Sequence, residues 1–224
     1  MPIFTHLQER LQGGTLMEHP NRCICDGPTP EVLRLIANAR RLTHAYAQTD
    51  YTETELRTRI LQDLLGRIGE NVMIETPFHC DYGKLIFIGN DVIINMNCTF
   101  VDNEPITIGN RVLIAPNVQL YTASHPVHPA ERIIPDYKTR GTAWFRTYHE
   151  PITIQDGVWI GGGAIVLPGV TIGENSVIGA GSVVTHNIPA NCLAVGNPCR
   201  PIHFFTPSNT HSLGSLQKTP PPNS

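Results

Sequence analysis

Residues 154–189 read IQDGVW IGGGAI VLPGVT IGENSV IGAGSV VTHNIP, six hexads that hold one phase without a slip. Ile154, Ile160, Val166, Ile172, Ile178 and Val184 all fall on the first position of the hexad. A period of six belongs neither to an amphipathic helix nor to a simple strand. A branched aliphatic, a small residue, polar residues and then a second small or β-branched residue suit a short flat strand followed by a tight corner. Three such units would close a triangular coil of about 18 residues, and one coil cannot bury its own aliphatic column, so coils must stack.

The same grammar runs upstream in IGNDVI, INMNCT and FVDNEP (88–105), and in IGNRVL, IAPNVQ and LYTASH (108–125), with a two-residue shift near Pro105 between the two runs. An α/β arrangement of these apolar segments would need helices between strands, and Gly, Asn and Pro every few residues exclude them. The period breaks once, over HPVHPAERIIPDYKTRGTAWFRTYHE (125–150), before PITIQDG resumes it. An excursion of that length inside a packed domain points to function.

Ahead of the repeats, residues 1–66 read as helical. PEVLRLIANARRLTHAY (30–46) opens on a proline and spaces Leu33, Ile36, Ala39 or Arg40, and Thr43 along one side. Thr52 and Glu55 make a capping box for a second helix, Leu56, Ile60, Leu61, Leu64 and Leu65 form its apolar stripe, and Gly66 and Gly69 end it. TPSNTHSLGSLQKTPPPNS, at the other end, is too polar and too rich in Pro and Ser to pack. The chain is thus expected to divide into a helical segment (1–69), a repeat domain (70–203) with an extruded loop (125–150), and a disordered tail (204–224).

Of the 224 residues, 41% are hydrophobic and 16% charged, enough for one domain with a substantial core. A net charge of -3 supplies no positive field to draw nucleic acid or anionic membrane. No apolar run is long enough to span a bilayer and MPIFTHLQERLQGG has no leader pattern, so a cytoplasmic protein is expected. Six cysteines are too few for a disulfide framework, and Cys23 and Cys25 lack the second pair that a zinc or redox motif needs.

DYG (81–83), INMNCTFVDN (94–103), IGNRVLIAPNVQLYTASHPVH (108–128), PITIQDGVWIGGGAIVLPGVTIGENSVIGAGSVVT (151–185) and AVGNPCRPI (194–202) resemble the maltose and galactoside O-acetyltransferase family of hexapeptide-repeat acyltransferases. The resemblance covers roughly residues 10 to 203. It implies a mainly β fold, a left-handed parallel β-helix with an N-terminal helical segment, assembled as a homotrimer with sites between subunits. It also implies direct acetyl transfer from acetyl-CoA to a small hydroxylated acceptor in a ternary complex, with no metal.

Such a transfer needs a base, because a neutral alcohol attacks a thioester poorly, and a positioned imidazole contributes on the order of 10² to 10⁴ in rate. His125, in SHPVH, matches the family's catalytic histidine. Asn95 matches the donor that stabilises the oxyanion of the tetrahedral intermediate, and Asp81, Asn95 and Asn103 match acceptor contacts. Trp159, Gly162, Ala180, Thr185, His186, Arg200 and His203 match cofactor positions, with Arg200 suited to phosphate.

Each has a plainer alternative, a packed tryptophan, a solvated cation or an asparagine at a corner that tolerates left-handed backbone. His125 and His128, three apart without a third ligand, make a poor metal site, so His128 reads as shaping the pocket.

Several features depart from the family. NRCICDGPT (21–29) is an insert, Met17 replaces the aromatic after GGTL, and His186 stands where a lysine is usual. The loop is longer than in compact relatives and adds Trp144, Phe145, Arg146 and Tyr148, which suits a larger or less polar acceptor. A metal-dependent hydratase and a non-catalytic scaffold are the competing uses of such a repeat.

Overall fold

The computed structural model describes residues 23–25, 27 and 29–206. The expected architecture is present: a parallel β-helix of stacked coils with helices at its N-terminal end. Strands β2 (Met73–Ile74), β5 (Ile93–Ile94), β8 (Leu113–Ile114), β13 (Trp159–Ile160), β16 (Val177–Ile178) and β18 (Cys192–Val195) pair in parallel up the first face. β19 (Arg200–Phe204) closes that face antiparallel. The second face is β3 (Phe78–Cys80), β6 (Cys98–Val101), β9 (Gln119–Tyr121), β14 (Ile165–Val166) and β17 (Val183–Val184). The third is β4 (Ile86–Ile88), β7 (Ile106–Ile108), β12 (Ile152–Ile154) and β15 (Thr171–Ile172).

The hexad's first position is the inward one. Ile154, Ile160, Val166, Ile172, Ile178 and Val184 are all essentially inaccessible to solvent, as are Ile94, Phe100, Ile108, Ile114 and Leu120 in the coils below. Because coils stack in register, these side chains form continuous columns, and the apolar area they remove from water holds the prism together.

The coil is not the uniform 18 residues expected. Met73 pairs with Ile93 and Ile93 with Leu113, twenty apart, whereas Trp159 pairs with Val177 at eighteen and Val177 with Leu193 at sixteen. The extra residues of the lower coils all lie at one corner, between the second and third faces. Cys80 to Ile86 and Val101 to Ile106 bridge it there, and the third coil leaves from it into the 125–150 excursion. The two-residue shift near Pro105 is therefore an enlarged corner repeated in each lower coil.

The helices cap the bottom of the prism. α1 (Pro30–Ala47) starts as expected, with Thr29 Oγ1 accepting from Val32 N and a proline in its first turn. Its buried side is Val32, Ala39, Leu42 and Tyr46: Ala39 lies on it as expected, whereas Leu33 points to water and Ile36 and Thr43 are only partly buried. What fixes the face is polar: Tyr46 Oη donates to Ile74 O at 2.6 Å, and Arg57 donates to both at 2.7 and 3.2 Å.

α2 (Thr54–Leu64) buries Leu61 and Leu64 as expected, and Leu65 just beyond it, but the Thr52–Glu55 capping box does not form. Asp50 takes the Thr52 hydroxyl and amide instead, while Glu53 accepts from Asp50 N.

The 125–150 excursion is ordered. It carries α3 (Pro129–Arg132), α4 (Tyr137–Arg140) and β11 (Thr147–His149). β11 lies between β10 (Ala123–Ser124) and β1 (Cys23–Cys25), both antiparallel to it. The insert and the long loop thus form one small sheet, and Gly27 lies so close that a Cβ there would meet Ala143 Cβ at 2.5 Å. Met17 and the tail from 207 lie outside the described residues.

Candidate active site

The enlarged corner gathers Asp81, Asn103 and His125, one from each of three successive coils. Asn103 Nδ2 donates to Asp81 Oδ2 at 3.2 Å, and Arg40 of α1 lies against Asp81 Oδ1 at 3.3 Å and donates to Cys80 O. The helical segment is thereby tied to the polar corner. Beneath it sits Asp102, fully buried, which accepts from Asp81 N and Tyr82 N at 2.9 Å and from Leu85 N at 3.3 Å. Burial pushes its carboxyl up to about 7, against the main-chain donors that pull it down. Asp102 was missed in the sequence, although alternation from inward Phe100 through outward Val101 points it inward.

His125 is exposed where the third coil gives way to the loop. Its Nδ1 is 2.8 Å from Arg146 O, and a carbonyl can only accept, so Nδ1 carries the proton and Nε2 is left with its lone pair. Phe145 packs edge-on against the imidazole at 5.3 Å, and Trp144 edge-on against Phe145 at 5.1 Å. His149, behind, is 4% exposed, and burial, aided by the neighbouring His125, lowers it to about 4, so it is neutral near pH 7. His128 caps α3, its Nδ1 accepting from Ala130 N at 3.3 Å.

Asn95 stands on a different edge, between the first and second faces. Its Oδ1 accepts from Met96 N at 3.1 Å, which turns Nδ2 outward as a donor. Strand Cys98–Val101 separates this edge from the His125 corner, and four extended residues span about 13 Å. One chain therefore does not bring Asn95 and His125 to a common reacting carbon.

The cofactor candidates extend the Asn95 edge upward. Asn95, Ala115, Gly161 and Gly179 stack there, each N–H donating to a carbonyl of the coil above at 2.8–2.9 Å. The left-handed corner beside them is Asn97 and Asn117 in the lower coils, with Asn97 Nδ2 donating to Asn117 Oδ1 at 2.9 Å, but Gly163 and Gly181 in the upper ones. A Cβ at either glycine would meet nothing within 4 Å, so the upper edge is open, with backbone as its floor.

Gly162 and Ala180 line that floor, and Trp159 is half-exposed beside it on the outer side of the first face. Arg200 and His203 project from β19 at its upper end, both exposed. Thr185 and His186, joined by a 2.8 Å hydrogen bond, stand on the other edge above the His125 corner. Among the described residues no group of three or more His, Cys, Asp or Glu is placed to hold a metal ion, and no helix is long and apolar enough to cross a membrane.

Two family models match the chain: the bacterial transferase hexapeptide (six repeats) at residues 151–186, and the maltose acetyltransferase hexapeptide capping motif at 26–69. Galactoside O-acetyltransferase of Escherichia coli K12 is 38% identical over 92% of this chain and 92% of its own length. A solved galactoside acetyltransferase in complex with coenzyme A superposes with a TM-score of 0.79 at 34% identity, covering 96% of this chain and 98% of that one.

A hexapeptide-repeat acetyltransferase of Vibrio cholerae O1 biovar eltor, complexed with acetyl coenzyme A, gives 0.72 at 38% identity, covering 89% and 98%. With its repeats, its capping helices and this relationship along nearly its whole length, the chain belongs to the maltose and galactoside O-acetyltransferase family of hexapeptide-repeat acyltransferases.

Proposed function

We propose that this protein transfers acetyl from acetyl-CoA to a hydroxyl of a sugar or other small hydroxylated metabolite, by direct attack within a ternary complex. The observation that carries the reading is His125, whose Nδ1–H is held by Arg146 O so that Nε2 faces outward as a base. Nε2 takes the acceptor's hydroxyl proton as the oxygen attacks the thioester carbonyl. Asn95 Nδ2 donates to the oxyanion, an interaction that strengthens as charge develops. Collapse releases the coenzyme A thiolate, and His125 returns the proton to the sulfur.

Because Asn95 and His125 lie on different edges, the reading requires that one copy's Asn95 edge face another copy's His125 corner. A homotrimer meets that requirement. Its support is the outward column of the first face, where Met73, Ile93, Leu113 and Trp159 are between 37% and 51% exposed and stack in register. A contiguous apolar ridge of this kind marks an association surface.

Acetyl-CoA lies along the open edge over Gly162 and Ala180 beside Trp159, with Arg200 and His203 of that copy, and Thr185 and His186 on the facing edge of another copy, toward its phosphates. Asp81 and Asn103 bind acceptor hydroxyls, and α1, tied to Asp81 through Arg40, covers that end of the site. The cytoplasm is the assigned compartment, in keeping with the buried free thiols of Cys80, Cys98, Cys192 and Cys199.

The aromatic chain His125–Phe145–Trp144, ending in a 55% exposed indole, favours an acceptor that carries an apolar portion beside its hydroxyl over a bare hexose. The test is an acceptor panel, read by mass spectrometry for the gain of one acetyl group, with wild type and His125→Ala. The variant should bind acetyl-CoA normally by calorimetry and lose turnover about 10² to 10⁴-fold. Full activity would sink the assignment.

A further inference from the structure

We infer that Arg132 is a positioning residue that sets the tautomer of His125 by clamping the two limbs of the loop together. The inference rests on His125 being the base. An exposed histidine at the mouth of a long loop would ordinarily sample both neutral tautomers and several ring orientations, and the Nε2–H form cannot accept a proton from the acceptor. Nδ1–H is selected by Arg146 O, at 2.8 Å. That carbonyl is twenty-one residues away along the chain, on the returning limb, so its distance from His125 is only as fixed as the two limbs are to one another.

Arg132 spans them. On the outgoing limb its Nη1 donates to Pro126 O at 2.9 Å and to Val127 O at 3.0 Å, the two residues that follow His125. On the returning limb its own carbonyl accepts from Arg146 N at 2.8 Å, and one Cα further along the same residue is the Arg146 carbonyl that holds His125. The ladder continues through an Ile133–Phe145 bridge and Ile134 N donating to Trp144 O at 2.9 Å, while Arg146 Nη1 donates to Glu131 O at 3.0 Å.

Phe145, set by that ladder, is the ring packed on the imidazole. The hydrogen bonds close a circuit from His125 through Pro126 and Val127, Arg132 and Arg146 back to His125. A single cation aimed at two carbonyls carries its outgoing side, and such charge-assisted bonds are the strong ones.

The test uses the full-length protein with ¹⁵N-labelled histidine, read by long-range ¹H–¹⁵N correlation of neutral His125, together with steady-state kinetics of Arg132→Ala and Arg132→Lys. Wild type should show a protonated Nδ1 and a bare Nε2. Arg132→Ala should convert His125 to mixed or Nε2–H tautomers and lower kcat at least about tenfold, within the range available to a lost base, while KM for acetyl-CoA changes less than about twofold. Arg132→Lys, whose ammonium can still reach both carbonyls, should recover part of kcat and of the Nδ1–H signal.

If Arg132→Ala does not fold, the lysine variant decides. Both signals intermediate support the clamp, and a wild-type tautomer with reduced kcat overturns it. An unchanged tautomer or an unchanged kcat in folded Arg132→Ala overturns it as well. The tautomer is read on resting protein, so this outcome stays distinct from failure of the base assignment, which His125→Ala decides alone.

Discussion

The two edges that flank the second face are built on opposite principles. The Asn95 edge keeps the repeat: each coil places a residue at the same height and hands an N–H to the coil above, and only the size of the corner side chain changes, from Asn97 and Asn117 to Gly163 and Gly181. The His125 edge abandons it: coil after coil enlarges the corner, with Asp102 buried in one and the whole 125–150 excursion thrown out of the next. A long substrate such as acetyl-CoA suits a periodic wall. Chemistry at one atom suits the place where the period fails, because there side chains can be set individually.

The largest expected effect comes from breaking the irregular edge at its base. Asp102→Ala would remove the carboxylate that Tyr82 N, Leu85 N and Asp81 N share, leaving Asp81 N its longer bond to Phe100 O. At about 1–3 kcal/mol for each of the Tyr82 and Leu85 donors that lose this bond, denaturant unfolding should show a loss of about 2–6 kcal/mol. Acceptor KM should rise with it, since Asp81 and Asn103 stand on that turn. A stable variant with unchanged KM would mean that the corner holds itself.

Next comes pH, where two buried groups on this edge oppose each other. His149, near 4 in the fold and about 6.5 when unfolded, is neutral in the native state. Its contribution is intact above pH 6.5 and is lost, to the extent of about 3 kcal/mol, as pH falls toward 4 and the unfolded chain gains the proton. Asp102, near 7 in the fold and 3.8 when unfolded, holds a proton in the native state over a pH range where the unfolded chain has lost it. Its contribution is greatest at acid pH and declines by a similar amount as pH rises from about 4 to 7.

In wild type the two slopes offset each other. His149→Gln should therefore gain stability on acidification from pH 7 to 4.5, and Asp102→Asn should lose it, by melting temperature in matched buffers. Parallel profiles would show that neither group is perturbed as its burial requires.

The regular edge was legible in the sequence and the irregular one was not, for a physical reason. Inward aliphatics at Ile154, Ile160 and their equivalents are forced by burial alone, so a period of six fixes strand, corner and stacking together. The Asp81–Asn103 contact and the His125–Arg146 bond depend on how chain ends spaced by non-repeating segments return to one another, and no period encodes that. The pairing of β1 with β11 was hidden for the same reason: the insert and the loop were each visible as departures, but their meeting joins residues more than a hundred apart. The coil of twenty showed only as a phase shift at Pro105.

Moving the lower-edge residue to the upper edge tests the comparison directly. Asn97 and Asn117 adopt φ of 66° and 63° at the position where Gly163 and Gly181 adopt 68° and 69°. Gly181→Asn should therefore keep the backbone and change stability by less than about 0.5 kcal/mol, while its side chain stands on the open edge over which we place acetyl-CoA. KM for acetyl-CoA should rise about tenfold, equivalent to about 1.4 kcal/mol, with acceptor KM unchanged. An unaltered value would move the cofactor off this edge.

The smallest effect belongs to the tip of the irregular edge. Trp144 is 55% exposed and touches the His125 imidazole only through Phe145, so its removal should leave the tautomer, the fold and kcat intact. What it offers is an apolar plane next to the reacting hydroxyl, and aromatic contacts of this kind contribute about 0.5–1.5 kcal/mol. Trp144→Ala should accordingly raise acceptor KM about fivefold for an aryl glycoside and hardly at all for the matching free sugar, measured side by side at saturating acetyl-CoA. Equal rises for both would place Trp144 in general covering of the site, and a fall in kcat would place it with the clamp around His125, so the ratio of the two KM changes separates recognition from support at the one edge where the sequence leaves its period.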